Sequence, residues 1–262
     1  MNCIPGRRSL WVFDFDGTLS PIVADRNEAR LHRECERMLR FLARRPWNRV
    51  AVLSSRALDD IVARVSVPGV FVGGASGLEW QFPEGHRIGP GAASESLLAV
   101  NRRAVFPLLI EMASVPGVEI EDKRWSVAVH YRNASPRSFR RRATLLQRLR
   151  NRKGIKVFLG PEAVEVQMLG GGGKSDGVRR LCRLAGRDPS RERIVYAGDD
   201  ENDAVAIRWV LSNGGTGIVV GNRITVPRAR HVEGPAGLAR AVRELEEISP
   251  ERITAKARGG AS

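Results

Sequence analysis

Five short apolar runs punctuate this chain: 10–13 (LWVF), 49–53 (RVAVL), 70–72 (VFV), 193–197 (RIVYA) and 217–220 (GIVV). Each stops abruptly at Gly or at a polar residue, and runs of this kind read as buried parallel strands. Between them lie stretches of helical periodicity. At 28–44, for example, Leu31, Met38, Leu39 and Leu42 share one face before Pro46 ends the pattern. Further helices are expected at 58–65, 175–185, after GDDEND to about 210, and at 238–247. This β-α-β-α-β march predicts a Rossmann-like α/β core, a doubly wound parallel sheet with crossover helices.

The middle of the chain follows another rule. A helix at 94–113, strands at 118–122 and 124–131, a helix at 136–150 and strands at 156–159 and 163–169 are expected there. Residues 124–131 alternate, with Trp125, Val127, Val129 and Tyr131 on one face and Ser126, Ala128 and His130 on the other. Such alternation marks an antiparallel, half-exposed strand. The resulting organisation is a core of 1–92 and 170–248, an α+β cap inserted at 93–169, and a frayed tail at 249–262.

The formal net charge of +14 comes mostly from Arg interleaved with acids along helical stretches. The densest basic clusters, at 140–142 and 148–152, carry no interleaved aromatic residues. That argues against a nucleic-acid partner and for a solvated surface attractive to anions. No stretch approaches the roughly 20 apolar residues of a membrane helix. The N-terminal run is short and contains Asp14 and Asp16, so it does not read as a signal peptide. Cys3, Cys35 and Cys182 form no close pair. They fit a reducing cytoplasm better than a disulfide framework or a zinc site.

Polar residues stand at the ends of these apolar runs in a pattern that points to chemistry. Asp14 and Asp16, two apart in an extended segment, project to one side at a strand's carboxyl end, where open α/β sheets place ligands. Gly17 turns the backbone away and Thr18 adds a hydroxyl. Ser54 follows the second run, Lys174 opens a helix, and Asp199, Asp200 and Asp203 follow the fourth run. Acids at two strand ends with one ammonium and one hydroxyl suit Mg²⁺ and a phosphoryl group together. A carboxylate can take that group covalently while the cations neutralise its oxygens. GGGGKS at 170–175 is no P-loop, because Met168 occupies the position that needs the first Gly. Asp14 to Ser54 is 40 residues and Lys174 to Asp199 is 25, each one helix and one strand. The 120 residues from Ser54 to Lys174 exceed any crossover and contain the cap.

DFDGT at 14–18, Ser54, Lys174 and GDDEND at 198–203 resemble, in order and over essentially the whole chain, the haloacid dehalogenase superfamily of phosphatases. Within it, GGASGLEW at 73–80, EDKRWSVAVHYR at 121–132 and AVEVQ at 163–167 resemble the trehalose-6-phosphate phosphatases. The resemblance implies Mg²⁺-dependent hydrolysis of trehalose 6-phosphate through an aspartyl-phosphate. Asp14 is then the nucleophile, Asp16 the proton carrier, and Ser54 and Lys174 the phosphoryl ligands. Asp14, Asp16 (through its carbonyl) and Asp199 hold the metal, with Asp200 and Asp203 in support. Glu79, Lys123 and Glu165 line the sugar pocket, and His130 and Arg132 belong to the same motif. It also implies a functional link to a trehalose-6-phosphate synthase. The nearest alternative is a capped phosphatase for another sugar phosphate, such as those of sucrose, glucosylglycerate or mannosylglycerate. A non-catalytic basic nucleic-acid-binding protein is the remote one. Ser55, Gln167, Met168 and Ser175 depart from the family pattern, which bears on the sugar more than on the reaction.

Overall fold

The computed structural model describes residues 8–131, 133–135, 147–149, 154–159, 163–170 and 173–247. Arg132, the tail at 249–262 and most of the helix expected at 136–150 lie outside them. The described residues form two compact units, one from the segments up to Arg87 and from Gly173 onward, the other from Ile88 to Gly172.

The chain opens with β1 (Ser9–Phe13), α1 (Arg33–Ala43), β2 (Asn48–Leu53), α2 (Leu58–Arg64), β3 (Val70–Gly74), β4 (Glu79–Gln81) and β5 (Arg87–Ile88). The second unit holds α3 (Ala92–Ala113), β6 (Glu119–Asp122), β7 (Ser126–His130), β8 (Lys156–Leu159) and β9 (Ala163–Gln167). The first unit resumes with α4 (Lys174–Leu184), β10 (Arg193–Gly198), α5 (Glu201–Ser212), β11 (Thr216–Val220), β12 (Arg230–Val232) and α6 (Pro235–Glu247).

In the first unit the strand order is β12-β11-β10-β1-β2-β3-β4-β5, parallel from β12 to β3, with β4 antiparallel to β3. Apolar residues bury both faces of this sheet. Trp11, Phe13, Val50, Val52, Val195 and Ala197 pack against Met38, Leu39 and Leu42 of α1 and Leu238 and Val242 of α6. On the sheet, α5 packs against β10 and β11, and α4 packs against α5. β1 lies centrally, with Phe13 level with Val52 on one side and Ala197 on the other. From β1 the chain winds outward in both directions, so the carboxyl end of β1 is the switch point where such sheets bind ligands.

Several elements differ from expectation. The first helix starts at Arg33 rather than 28, because Asp25 caps a separate 3-10 turn, Arg26–Glu28, and His32 caps α1 through a ring nitrogen that accepts the Glu34 N–H (3.3 Å). β7 starts at Ser126 rather than 124, since Arg124 turns the hairpin at φ +68°. The two- and three-residue strands β4, β5 and β12 are too short to show a period.

The second unit's sheet has the order β6-β7-β9-β8, antiparallel throughout. Val127, Val129, Val164 and Val166 are buried on one face. Ser126, Ala128 and His130 share the other with Glu121 and Glu165, as the register of the three strands requires.

Candidate active site

Three strand ends and one helix start converge at the switch point of the first sheet. Asp14 leaves β1 with its N–H on the Ala197 carbonyl (2.9 Å), which locks it beside β10. Its carboxylate is buried and accepts from Lys174 Nζ at 2.5 Å. Lys174, the first residue of α4, also reaches Asp203 Oδ1 at 2.6 Å. Asp203 is wholly buried and saturated: Oδ1 accepts from Lys174 and from the Tyr196 hydroxyl (2.6 Å), Oδ2 from the N–H groups of Asp199 and Asp200 (3.1 and 3.2 Å). Asp200 caps α5 in return, its Oδ1 accepting the Asp203 N–H at 2.9 Å.

Asp199 is held differently. Its carboxylate accepts from Thr18 Oγ1 (3.5 Å) and from Arg223 Nη1 (3.3 Å), a side chain 55% exposed. The turn after Asp16 leaves no room for a side chain there. Gly17 lies at φ +79°, and a Cβ on it would fall 2.2 Å from Asp199 Oδ2. Gly198 is equally constrained, since a Cβ would meet Asp203 Cγ at 2.2 Å.

Crowded, dry acids resist ionisation. Burial, reinforced by Asp203, raises Asp14 well above the ordinary carboxylate range. Burial and the neighbouring Asp200 push Asp199 up to about 6. Burial takes Asp203 to about 7 against the pull of Lys174. Burial would lower the Lys174 ammonium, but the charges of Asp14 and Asp203 overcome it and hold it well above its usual value. One carboxylate oxygen from each of Asp14, Asp199 and Asp203 lies within 4.8 Å of the others, all three residues buried. An all-oxygen set carrying more negative charge than its one buried ammonium offsets is what hard divalent cations take. The cluster is therefore compatible with a metal ion.

Asp16 stands apart from this cluster, and its side chain is 42% exposed. A fully buried Arg56 holds it in a fork, Nε to Oδ2 at 2.8 Å and Nη2 to Oδ1 at 2.6 Å. Ser54 is buried at the end of β2, where its hydroxyl accepts the Arg56 N–H at 3.1 Å. It does not cap α2, whose N-cap is Ala57. Arg56, Tyr196 and Arg223 are the site neighbours that motif reading passes over. Only Arg56 leaves a trace in the sequence, beside Ser54 and Ser55.

The other expected residues sit on other elements. Glu79 begins β4, between β3 and β5 in the first sheet. In the second unit, buried Lys123 reaches Glu165 Oε2 at 3.3 Å and Glu121 Oε2 at 3.9 Å, and Ser126 Oγ donates to Glu165 Oε1 at 2.9 Å. His130 Nε2 pairs with Glu121 Oε2 at 3.2 Å, so His130 joins the polar face that carries Glu165. Glu121 and Ser126 are further members that the motif did not single out.

A family profile described as Trehalose-phosphatase matches residues 12–233, which runs from the last two residues of β1 through β12 and takes in every acid of the buried cluster. The chain belongs to the trehalose-phosphatase family. A trehalose-phosphate phosphatase of Mycobacterium avium is 38% identical over 167 residues, 63% of this chain and 41% of the relative. One from Mycobacterium bovis is 34% identical over 253 residues, 92% of this chain and 63% of the relative. The chain thus spans about two-fifths to three-fifths of the length of these curated relatives. The C-terminal domain of the Candida albicans trehalose-6-phosphate phosphatase shares the fold, with a TM-score of 0.75 at 20% identity over 92% of both chains. Among the described residues no helix is long and apolar enough to cross a membrane.

Proposed function

We propose that this chain hydrolyses trehalose 6-phosphate to trehalose and phosphate, with Mg²⁺ as cofactor. The observation that carries the reading is the placement of Asp14 at the switch point, hydrogen-bonded to Lys174 and grouped with Asp199 and Asp203, in a chain of this family. Asp14 attacks phosphorus and the sugar oxygen leaves, giving an aspartyl-phosphate. Asp16 delivers a proton to that oxygen and then takes one from the water that cleaves the intermediate. Lys174, held by Asp203, and Ser54 bind phosphoryl oxygens. The Asp14 and Asp199 carboxylates and the Asp16 carbonyl would hold Mg²⁺, which supplies positive charge to those oxygens when bound. Asp203 has all its bonds spoken for and Asp200 caps α5, so both position Lys174 and Asp199 rather than bind the substrate.

The second unit acts as the cap that selects the sugar. Lys123, Glu165 and His130 on its polar face, and Arg132 from the same motif, are its groups for the disaccharide hydroxyls; Glu79, in the first unit, is a separate candidate for the sugar. Carboxylates and an ammonium suit a polyol because each holds several hydroxyls at once. We further infer a reducing, cytoplasmic setting, which the free, buried Cys35 and Cys182 support. A trehalose-6-phosphate synthase would supply the substrate. The covalent step is tested by quenching turnover in acid, reducing with borohydride and mapping peptides. The label belongs on Asp14, and a label on any other residue, or on none, would remove Asp14 as nucleophile.

A further inference from the structure

Arg56 is the most heavily engaged side chain near the site that the scheme above leaves without a task. A guanidinium with no solvent exposure is costly to bury unless its donors are matched. Here four of its five N–H groups are matched. Two donors fork onto Asp16, Nη1 reaches Asp60 Oδ2 at 2.7 Å, and Nη2 also reaches the Arg26 carbonyl at 2.6 Å. Asp60 is itself held by Arg64 Nε at 2.8 Å, and Arg64 bonds the carbonyls of Asn27 and Ala29 (3.0 and 2.8 Å). The backbone of Arg56 is pinned as well. Its N–H donates to Ser54 Oγ, and its carbonyl accepts the Ala75 N–H at 2.7 Å, while Ser76 N–H reaches the Ser54 carbonyl at 2.8 Å. Ala75 and Ser76 adopt φ of +48° and +57° to make those bonds, a conformation that persists only where surrounding structure enforces it.

We propose that Arg56 is a positioning residue for proton transfer. It acts through Asp16, fixing that half-exposed carboxylate in the orientation from which it serves the leaving oxygen. The proposal rests on the role given to Asp16 under Proposed function and adds the element that holds it. A bidentate fork restrains both oxygens of a carboxylate, which a single hydrogen bond or a point charge does not. The Arg also joins Ser54, the proposed phosphoryl ligand, to Asp16 through one rigid segment, so the two groups are registered to each other rather than placed independently.

The test is a double-mutant cycle with Arg56→Gln, Asp16→Asn and the pair together, read as kcat and KM for phosphate release with Mg²⁺. Alone, Arg56→Gln should lower kcat about 100-fold, within the range general acid–base catalysis contributes, and leave KM within about threefold. Added to Asp16→Asn it should lower kcat by no more than about twofold, since a residue acting through Asp16 has nothing left to lose. Arg56→Lys keeps the charge without the fork. It should recover only part of the loss, and it carries the same cycle if the Gln variant does not fold. On 2,4-dinitrophenyl phosphate, whose leaving group needs no proton, the first burst of dinitrophenolate should be slowed much less in the Arg56 variants.

Losses that multiply in the double variant would overturn the proposal, as would an Arg56→Gln enzyme with wild-type kcat. A raised kcat would also overturn it, by showing that the fork withholds Asp16. A wild-type enzyme that releases phosphate from no sugar phosphate is a different result. It removes the reading of the site itself, and the proposal with it.

Discussion

At the scale of single residues, the site is a compromise between burial and charge, and Asp14 carries most of it. Its ionised form sits among acids in a dry pocket, with Lys174 as its one cationic hydrogen-bond partner among the described residues. Asp14→Asn should abolish phosphate release, because an amide cannot attack, while leaving the fold intact. Since the ionised carboxyl is disfavoured there, the melting temperature at neutral pH should be no lower than wild type. Near-wild-type release by that variant would exclude Asp14 as nucleophile. Gly17→Ala should behave in the opposite way. A side chain at φ +79° costs about 1–2 kcal/mol, before the 2.2 Å encounter with Asp199 Oδ2 is counted. Urea unfolding should show at least that loss, together with weakened activation by divalent cations. An unchanged cation response would mean that Asp199 tolerates displacement.

Among elements, α5 and the β7–β9 pair hold the groups that have to be placed accurately. Asp200→Ala removes one arm of the α5 capping box and should cost about 1 kcal/mol in urea unfolding. Its effect on kcat should be smaller than that of Asp199→Ala, and the reverse order would make Asp200 the metal ligand. Glu165→Ala should impair turnover of the sugar phosphate far more than that of p-nitrophenyl phosphate, and equal losses would take Glu165 out of the sugar pocket. The sequence reveals these elements unevenly. Asp14, Asp16, Lys174 and Asp199 are legible because each is a charge set against a segment that has to be buried, a position few structural roles explain. The core strands are legible because their apolar runs exceed what a surface strand needs. Arg56 is not, since its partners Asp16 and Arg26 are remote in sequence and only the folded sheet makes its burial affordable. Tyr196 reads as one more strand residue until Asp203 is found beneath its hydroxyl. His130 joins the polar face only once Glu121 and Glu165 are brought level by register.

Across the whole molecule, the acidic cluster links stability to pH and to cations. Asp199 at about 6 and Asp203 at about 7 both lie above the ordinary value of 3.8. Between about pH 4 and pH 7 the metal-free folded chain therefore binds more protons than the unfolded chain, and stability falls as pH rises through those values. A divalent cation on the Asp14 and Asp199 carboxylates has to displace the protons that burial holds there, so it binds better as pH rises. Mg²⁺ should accordingly raise the melting temperature more at about pH 8 than at about pH 5. An equal shift at both would separate the cation from this cluster.

The central claim joins a substrate to this site, and phosphate release over a panel of sugar phosphates tests it most directly. The panel holds trehalose 6-phosphate with the phosphates of sucrose, glucosylglycerate and mannosylglycerate, each with Mg²⁺ and with EDTA, for wild type and Asp14→Asn. The prediction is rapid release from trehalose 6-phosphate in wild type with Mg²⁺, with little from the other sugars, and none with EDTA or in the variant. Preference for another sugar phosphate, release that survives EDTA, or release by Asp14→Asn would contradict it.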